Sequence, residues 1–197
     1  MWDSIIGVRR PRPISLESTR CSGHDRMMTG YEIRPLDDGD APRLAAVHVA
    51  VWKNTYPGLV DQVKLDGLTA ADRIPGWTAI VAQRDDAQSR GIRTRCAVDV
   101  AGGEIIAMAT GGPARDADAP VGTQLWSLNV LPGHHGQGVA SRLLDAVVAP
   151  GTPAYLWVAA GNGRAIAFYR KHGFDLDGAA RHDAEWDCHE LRMRRPV

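Results

Sequence analysis

Residues 130–144 read VLPGHHGQGVASRLL. An apolar pair passes through Pro132 into glycines at 133, 136 and 138, and then into a run whose apolar positions, Val139, Leu143, Leu144, Val147 and Val148, recur at helical spacing. Such a stretch is either a flexible connector or a site whose working groups are backbone amides. Glycine lets successive N–H groups turn toward one point and removes the Cβ that would hold a ligand off the backbone. At a helix start, the unpaired amides and the macrodipole both favour an anion, so the expected ligand carries phosphate. No Gly-Lys-Ser/Thr follows, which excludes Walker chemistry, and G-x-x-G-x-G reverses the dinucleotide order G-x-G-x-x-G.

Working outward, Trp126, Leu128 and Val130 alternate with Ser127 and Asn129, which predicts a strand over 124–130 leading into the glycines. Downstream, Pro150-Gly151 stops the helix and Tyr155 to Ala159 is β-prone. Asn162 is placed to cap a second helix carrying Ala165, Phe168, Tyr169 and His172 on one stripe, and Gly173 fits its left-handed C′ position. Phe174 to Gly178 and Glu185 to Arg194 read as two closing strands. Upstream, 95–101 and 104–110 read as a hairpin joined by a type I′ turn at Gly102-Gly103, followed by an exposed loop over 111–122. A helix is expected over 41–54, entered through Asp37 to Asp40 with Pro42 in its first turn, and Tyr31 to Leu36 is a first strand. Between 59 and 80 a helical segment is expected to be broken by Gly67, Pro75 and Gly76. Strands that come both as hairpins and across helices give an α/β fold with a mixed sheet and helices on its faces.

The chain has 197 residues, 44% of them hydrophobic, enough for one core and one domain over 30–197. Its 23 basic and 23 acidic residues cancel, so the charge total argues for neither nucleic acid nor an anionic membrane as partner. Cys21, Cys96 and Cys188 are too few and too widely spaced for a disulfide framework or a zinc set, which fits a reducing cytoplasm. No apolar run approaches the roughly 20 residues that span a bilayer. Residues 1–29 show no sustained period and read as a disordered extension. Arg9-Arg10 lacks the apolar stretch of an export signal, and Met27 or Met28 offers a later start.

Val130-x-Pro132, His135-Gly136-Gln137-Gly138-Val139-Ala140 and Leu143-Leu144 together resemble the acetyl-CoA signature Gln/Arg-x-x-Gly-x-Gly/Ala of the GNAT superfamily of N-acetyltransferases. Asn162-Gly163-Arg164-Ala165-Ile166-Ala167-Phe168-Tyr169-Arg170-Lys171-His172-Gly173-Phe174 resembles the superfamily's second motif, N-x-x-A-x-x-F-Y-x-K-x-G-F, and Trp52-x-x-Thr55-Tyr56-x-Gly58 resembles its first-helix region. The resemblance covers about Tyr31 to Met193. It implies a largely antiparallel sheet with a splayed strand pair, acetyl-CoA as cosubstrate, and a small-molecule or peptide amine as acceptor, with a homodimer as one allowed assembly. It also implies that backbone groups of Leu128 and Val130 pair with the pantetheine arm, that the amides of Gly136, Gln137, Gly138, Val139 and Ala140 hold the pyrophosphate, and that Asn162 touches the pantetheine. Asn162 as a plain helix cap is an equal reading. Tyr169 is implied as general acid, since a phenol of ordinary pKa about 10 stays protonated at neutral pH and can donate to a departing thiolate.

Two positions depart from the pattern. His135 stands where the superfamily has Gln or Arg, and imidazole offers phosphates less charge at pH 7 than arginine does. Gln124 stands where many members carry a glutamate base, and an amide cannot take a proton. Glu104, Glu185 or His182, or a water chain, are the substitutes within reach of the sequence. Gln124 also leaves open a non-catalytic acyl-CoA sensor, with a nucleotide-binding module as a more distant third reading. His182-x-x-Glu185 and Cys188-His189 match no metal-ligand spacing, so no metal is expected.

Overall fold

The computed structural model describes residues 30–196, so the expected N-terminal extension and Cys21 lie outside the described residues. In chain order the elements are β1 (Tyr31–Pro35), α1 (Ala41–Thr55), α2 (Gln62–Gly67), α3 (Ala70–Ala82), α4 (Arg84–Ser89), β2 (Arg93–Asp99), β3 (Ile105–Pro113), β4 (Thr123–Val130), α5 (Val139–Val147), β5 (Ala154–Ala159), α6 (Gly163–Lys171), β6 (Asp175–Asp183) and β7 (Cys188–Arg195). The strands form one sheet in the order β1-β2-β3-β4-β5-β7-β6, antiparallel throughout except between β4 and β5.

The two sheet faces carry different cores. Alternation on β2 and β3 sends Ala97, Ala107 and Ala109 toward α5, whose Val139, Leu143, Leu144 and Val147 bury against them. The opposite face sends Cys96 and Met108 toward Leu44, Ala45 and Val51 of α1 and Trp77 and Val81 of α3. Strand β3 is buried on both faces from Ile105 to Gly112, which explains its unbroken apolar run. The small side chains on the α5 face let that helix sit close, and at Gly111 even a methyl would meet the Val147 carbonyl at 2.9 Å.

That contact corrects the expected exposed loop over 111–122. Gly111 and Gly112 are buried strand residues selected by packing, and the loop proper begins after Pro113. The hairpin turn is also longer than a two-residue type I′ turn. Residues 100–104 lie between the strands, Asp99 N–H bonds Glu104 O, and Gly103 has φ 70° while Gly102 stays outside the left-handed region. Pro75 does not break α3, because Trp77 and Val81 beyond it are anchored against α1. Helix α4, RDDAQS, has no buried residue and therefore no apolar period by which to read it. Asp40 occupies the N-cap of α1 without capping through its side chain. Its buried carboxylate accepts instead from Arg34 at 2.7 and 3.0 Å, and that pairing holds its pKa below the ordinary value against the opposing effect of burial. Strand β6 runs on to Asp183 through a bulge between Leu176 and Ala180, past the expected end at Gly178.

Strand β4 carries the irregularity that matters most. Its partner register steps from Thr110↔Ser127 to Gly111↔Leu125, so Trp126 is the extra residue of a bulge. The side-chain alternation inverts there, which places Leu125 in the α5-side core and Leu128 and Val130 against the same core. The simple alternation read from Trp126 to Val130 therefore holds only beyond Trp126.

Candidate active site

Strands β4 and β5 are joined by a single pair, Gln124↔Tyr155, and diverge beyond it. The divergence opens a cleft of about 450 Å³ whose walls include Leu125 to Val130 on one strand and Leu156 to Ala159 on the other. This is within the range of small-molecule sites. Leu131 N–H bonds Ile106 O of β3, so by alternation the main-chain groups of Val130 turn away from β3 toward the gap.

At one end of the cleft the glycine segment is a shaped turn. Pro132–His134 forms one 3₁₀ turn, His135 is extended, and Gly136 and Gly138 adopt φ 78° and 81°, so these two glycines are required while Gly133 is not. Nothing lies within 4 Å of where a Cβ at Gly136 would project, which leaves the backbone open to close approach. Gly138 is the N-cap of α5, with neither a side-chain cap nor an acidic residue in the first turn, so the positive helix end is free for an anion. Of the ten residues expected at the site, Leu128, Val130, His135, Gly136, Gly138, Val139, Ala140, Asn162 and Tyr169 line this one cleft. Gln137 does not. Its side-chain amide folds back onto Gly133 O at 3.1 Å, and its carbonyl receives the Tyr31 hydroxyl.

His135 has a defined place. One ring nitrogen, Nε2, lies 3.0 Å from Val130 O and the other, Nδ1, lies 3.0 Å from Arg164 Nη1. Since the guanidinium can only donate, Nδ1 accepts and Nε2–H donates to Val130 O. The imidazole thus occupies one of the strand groups expected to meet a pantetheine arm, and it orients Arg164, which the sequence motif contained without a role being read from it. Lys171 and His172 line the same end. His172 ties α6 to α5, with Nδ1 2.9 Å from Phe168 O and Nε2 3.0 Å from Ser141 Oγ.

Helix α6 is bounded as its sequence predicts. Asn162 Oδ1 accepts from Ala165 N–H at 3.1 Å, so the cap is made and only the amide nitrogen of that side chain stays available. At the other end Gly173 N–H bonds Arg170 O and Phe174 N–H bonds Tyr169 O, a Schellman closure with Phe174 packed against the Tyr169 ring at 6.0 Å. This fixes Tyr169 in the cleft wall. Burial pushes its phenol well above the ordinary value, with nearby Tyr56 adding to the shift, and among the described residues its hydroxyl has no hydrogen-bond partner.

The other end of the cleft is aromatic and acidic. Trp52 packs on Tyr56 at 4.9 Å and on Trp186 at 4.6 Å. Gln124 is buried beneath, accepting from the Tyr155 hydroxyl at 3.0 Å and from Arg115 N–H at 3.1 Å, so its amide holds the strand fork together. The feature that left a non-catalytic sensor open is thereby accounted for by architecture. Glu104, Glu185 and His182 are exposed and none lines the cleft; His182 sits 3.3 Å from Asp187. Two carboxylates do line the cleft: Asp183, whose Oδ1 is taken up by the N–H groups of Glu185 at 2.9 Å and Trp186 at 3.2 Å, and Glu190 of β7, with a side chain 12% exposed. Burial raises its pKa above the ordinary value, although Arg181 Nε donates to it at 2.6 Å. Arg181 also meets Asp116 at 3.2 Å and covers the Trp157 ring at 4.2 Å. Cys188, beside these groups, is a buried thiol pushed up to about 11 by desolvation. Among the described residues no group of three or more His, Cys, Asp or Glu is arranged to hold a metal ion, and no helix is long and apolar enough to cross a membrane.

Comparison with known proteins agrees with this arrangement. A Mycobacterium tuberculosis protein named as a probable N-acetyltransferase is 28% identical over 163 residues, covering 76% of this chain and 83% of that protein. The fold is similar to that of the PaiA N-acetyltransferase of Thermoplasma acidophilum, solved in complex with coenzyme A, with TM-score 0.62 and 19% identity over 85% of this chain and 99% of that one. It is also similar to a ribosomal-protein-S5-alanine acetyltransferase of Vibrio fischeri, with TM-score 0.60 and 12% identity over 86% and 94% of the two chains. The family model for acetyltransferases of the GNAT type matches residues 68–174, which span α3 to α6 and so the bulged β4, the glycine turn and Tyr169. The chain belongs to the Acetyltransferase (GNAT) family and is an acyl-CoA-dependent N-acetyltransferase.

Proposed function

We propose that the chain moves an acetyl group from acetyl-CoA to a primary amine by direct attack in a ternary complex, with Tyr169 as general acid and Glu190 as the acceptor of the amine's proton. The observation that carries this reading is the continuity of one cleft. Gly136, Gly138 and the free end of α5 line it at one end, Glu190 with Trp52, Tyr56 and Trp186 at the other, and Tyr169 in the wall. Acetyl-CoA supplies the thioester carbonyl. The amides from Gly136 to Ala140 and the α5 dipole bind pyrophosphate, and Arg164, held by His135, adds positive charge beside them. Glu190 takes one proton from the ammonium form of the acceptor, leaving a lone pair free to attack the carbonyl carbon. As the carbon–sulfur bond breaks, the Tyr169 O–H protonates the departing sulfur, and the remaining excess N–H proton of the new amide returns through solvent to the phenolate. The raised phenol pKa favours this role, since it keeps the hydroxyl protonated through the neutral range.

Thiol release measured with acetyl-CoA against polyamines, amino acids, peptide N-termini and protein lysines tests the reading. CoA released in step with N-acetyl product from at least one amine is the expected result. Binding of acetyl-CoA with no release for any of these classes would contradict it.

A further inference from the structure

A second cavity, of about 280 Å³, lies on the α1 side of the sheet, between α3–α4 and the ends of β1, β2, β3 and β4. Its lining includes four arginines, Arg84, Arg90, Arg95 and Arg115, against one aspartate, Asp85; Asp85, Arg90 and Arg115 are exposed at its rim, and Arg84 and Arg95 are half-buried. Two of the arginines are neutralised by carboxylates outside the lining: Arg84 by Asp38 at 2.6 Å and Arg90 by Asp86 at 3.0 Å. Arg95 and Arg115 have no such partner among the described residues.

Both uncompensated arginines have polar edges to spare. Arg95 donates to Thr94 O at 2.9 Å and to Gln88 Oε1 at 3.4 Å, both uncharged acceptors. Arg115 lies over the Trp126 ring with its guanidinium carbon 3.4 Å from the centroid. A guanidinium stacked on its face keeps its N–H donors pointing outward from the edge, and among the described residues those of Arg115 meet no acceptor. Desolvation lowers the pKa of both, and at Arg115 it outweighs the opposing charge of neighbouring Asp116, which makes no ion pair with it. The platform is rigid. The Trp126 indole N–H donates to Pro113 O at 3.1 Å, and the ring lies so close over Gly112 that a Cβ there would sit 2.9 Å from it. The Thr94 and Thr110 hydroxyls, 3.2 Å apart, add neutral donors to the cavity.

We propose that this cavity binds a small organic anion, a phosphate or carboxylate, by pairing it with Arg95 and Arg115 beside Trp126. The volume is at the low end for organic ligands, which excludes a nucleotide-sized molecule. Trp126 lines this cavity and the catalytic cleft alike, so the two sites share one side chain as a wall.

The test is calorimetric titration of the full chain with phenyl phosphate, benzoate and uncharged phenol, with and without saturating CoA, so it needs no acetyl transfer. At least one of the two anions is expected to bind with CoA present and phenol is not. Arg95→Gln and Arg115→Gln should each weaken that anion tenfold or more, Arg95→Lys and Arg115→Lys should recover part of the loss, and Arg170→Gln, on α6 and outside the lining, should have no effect. The proposal is overturned if neither anion binds at millimolar concentration, if CoA competes the anion away, or if the Gln variants bind as the wild type does.

Discussion

Gln124 accepts the Tyr155 hydroxyl at 3.0 Å across the one residue pair at which β4 and β5 meet. The same oxygen also receives Arg115 N–H, so one buried amide closes the fork from which the catalytic cleft opens. Gln124→Leu takes the acceptor from the buried Tyr155 hydroxyl and leaves Arg115 N–H only its longer contact with that hydroxyl, at 3.4 Å, so it should cost about 1–3 kcal/mol of stability. Urea unfolding, with an unchanged slope and a lower midpoint, is the check. Gln124→Glu should bring no gain in turnover, because the position points into the fork.

Two glycines should respond to the same change in opposite ways. Gly111→Ala drives a methyl to 2.9 Å from the Val147 carbonyl, and since backbone cannot yield cheaply the expected cost is about 1–3 kcal/mol, with the KM for acetyl-CoA unaltered. Gly138→Ala meets no side chain closer than the Tyr31 hydroxyl at 3.6 Å, but it must hold φ 81°. The strain, of order 1–2 kcal/mol, falls on the turn that presents the amides, so the KM for acetyl-CoA should rise about tenfold. Thermal unfolding and steady-state kinetics on both variants separate the two effects.

Much of this site is legible in the sequence because it is built from local signals. Helix α5 announces itself by apolar period, and α6 by the Asn162 cap and the Gly173 stop. What the sequence does not carry is register. The bulge at Trp126 reverses the faces of β4, and the bulge between Leu176 and Ala180 is what sets Arg181 opposite Glu190. For that reason the sequence does not mark Glu190 as a cleft residue, and nothing local in it separates Glu190 from Glu104 and Glu185, which lie outside the cleft. Gly111 and Gly112 look like loop residues for a related reason: composition cannot distinguish a glycine chosen for its φ from one chosen because Val147 or Trp126 fills the space of its side chain.

Glu190 should govern the acid side of the pH–rate profile. Only its ionised form accepts a proton, and burial raises its pKa, so kcat/KM should climb with pH through a value above the ordinary carboxylate range of about 4.3. Glu190→Gln should remove that limb and lower kcat by about 10²–10⁴-fold. Arg181 keeps Asp116 in the variant, so the fold should hold. A profile unchanged by the substitution would assign the proton to another acceptor.

His48 supplies a pH dependence of stability that is separate from catalysis. It is buried between Trp52 and Trp77, and burial, with the charge of Arg73 adding to it, lowers its pKa to about 4. The folded chain therefore keeps the ring neutral while the unfolded chain protonates it below about 6.5. Its contribution is fully present above that pH and is lost between about 6.5 and 4, amounting to about 3 kcal/mol. Unfolding free energies at pH 7.5 and 4.5 should differ more in the wild type than in His48→Leu.

The most direct test of the account is steady-state acetyl transfer by Tyr169→Phe, with acetyl-CoA binding measured in parallel. The ring and its packing on Phe174 survive the substitution while the proton donor does not. The expected result is a kcat lowered about 10²–10⁴-fold with acetyl-CoA affinity and melting temperature close to those of the wild type. Turnover equal to the wild type would contradict the assignment of Tyr169 as the acid and with it the proposed mechanism.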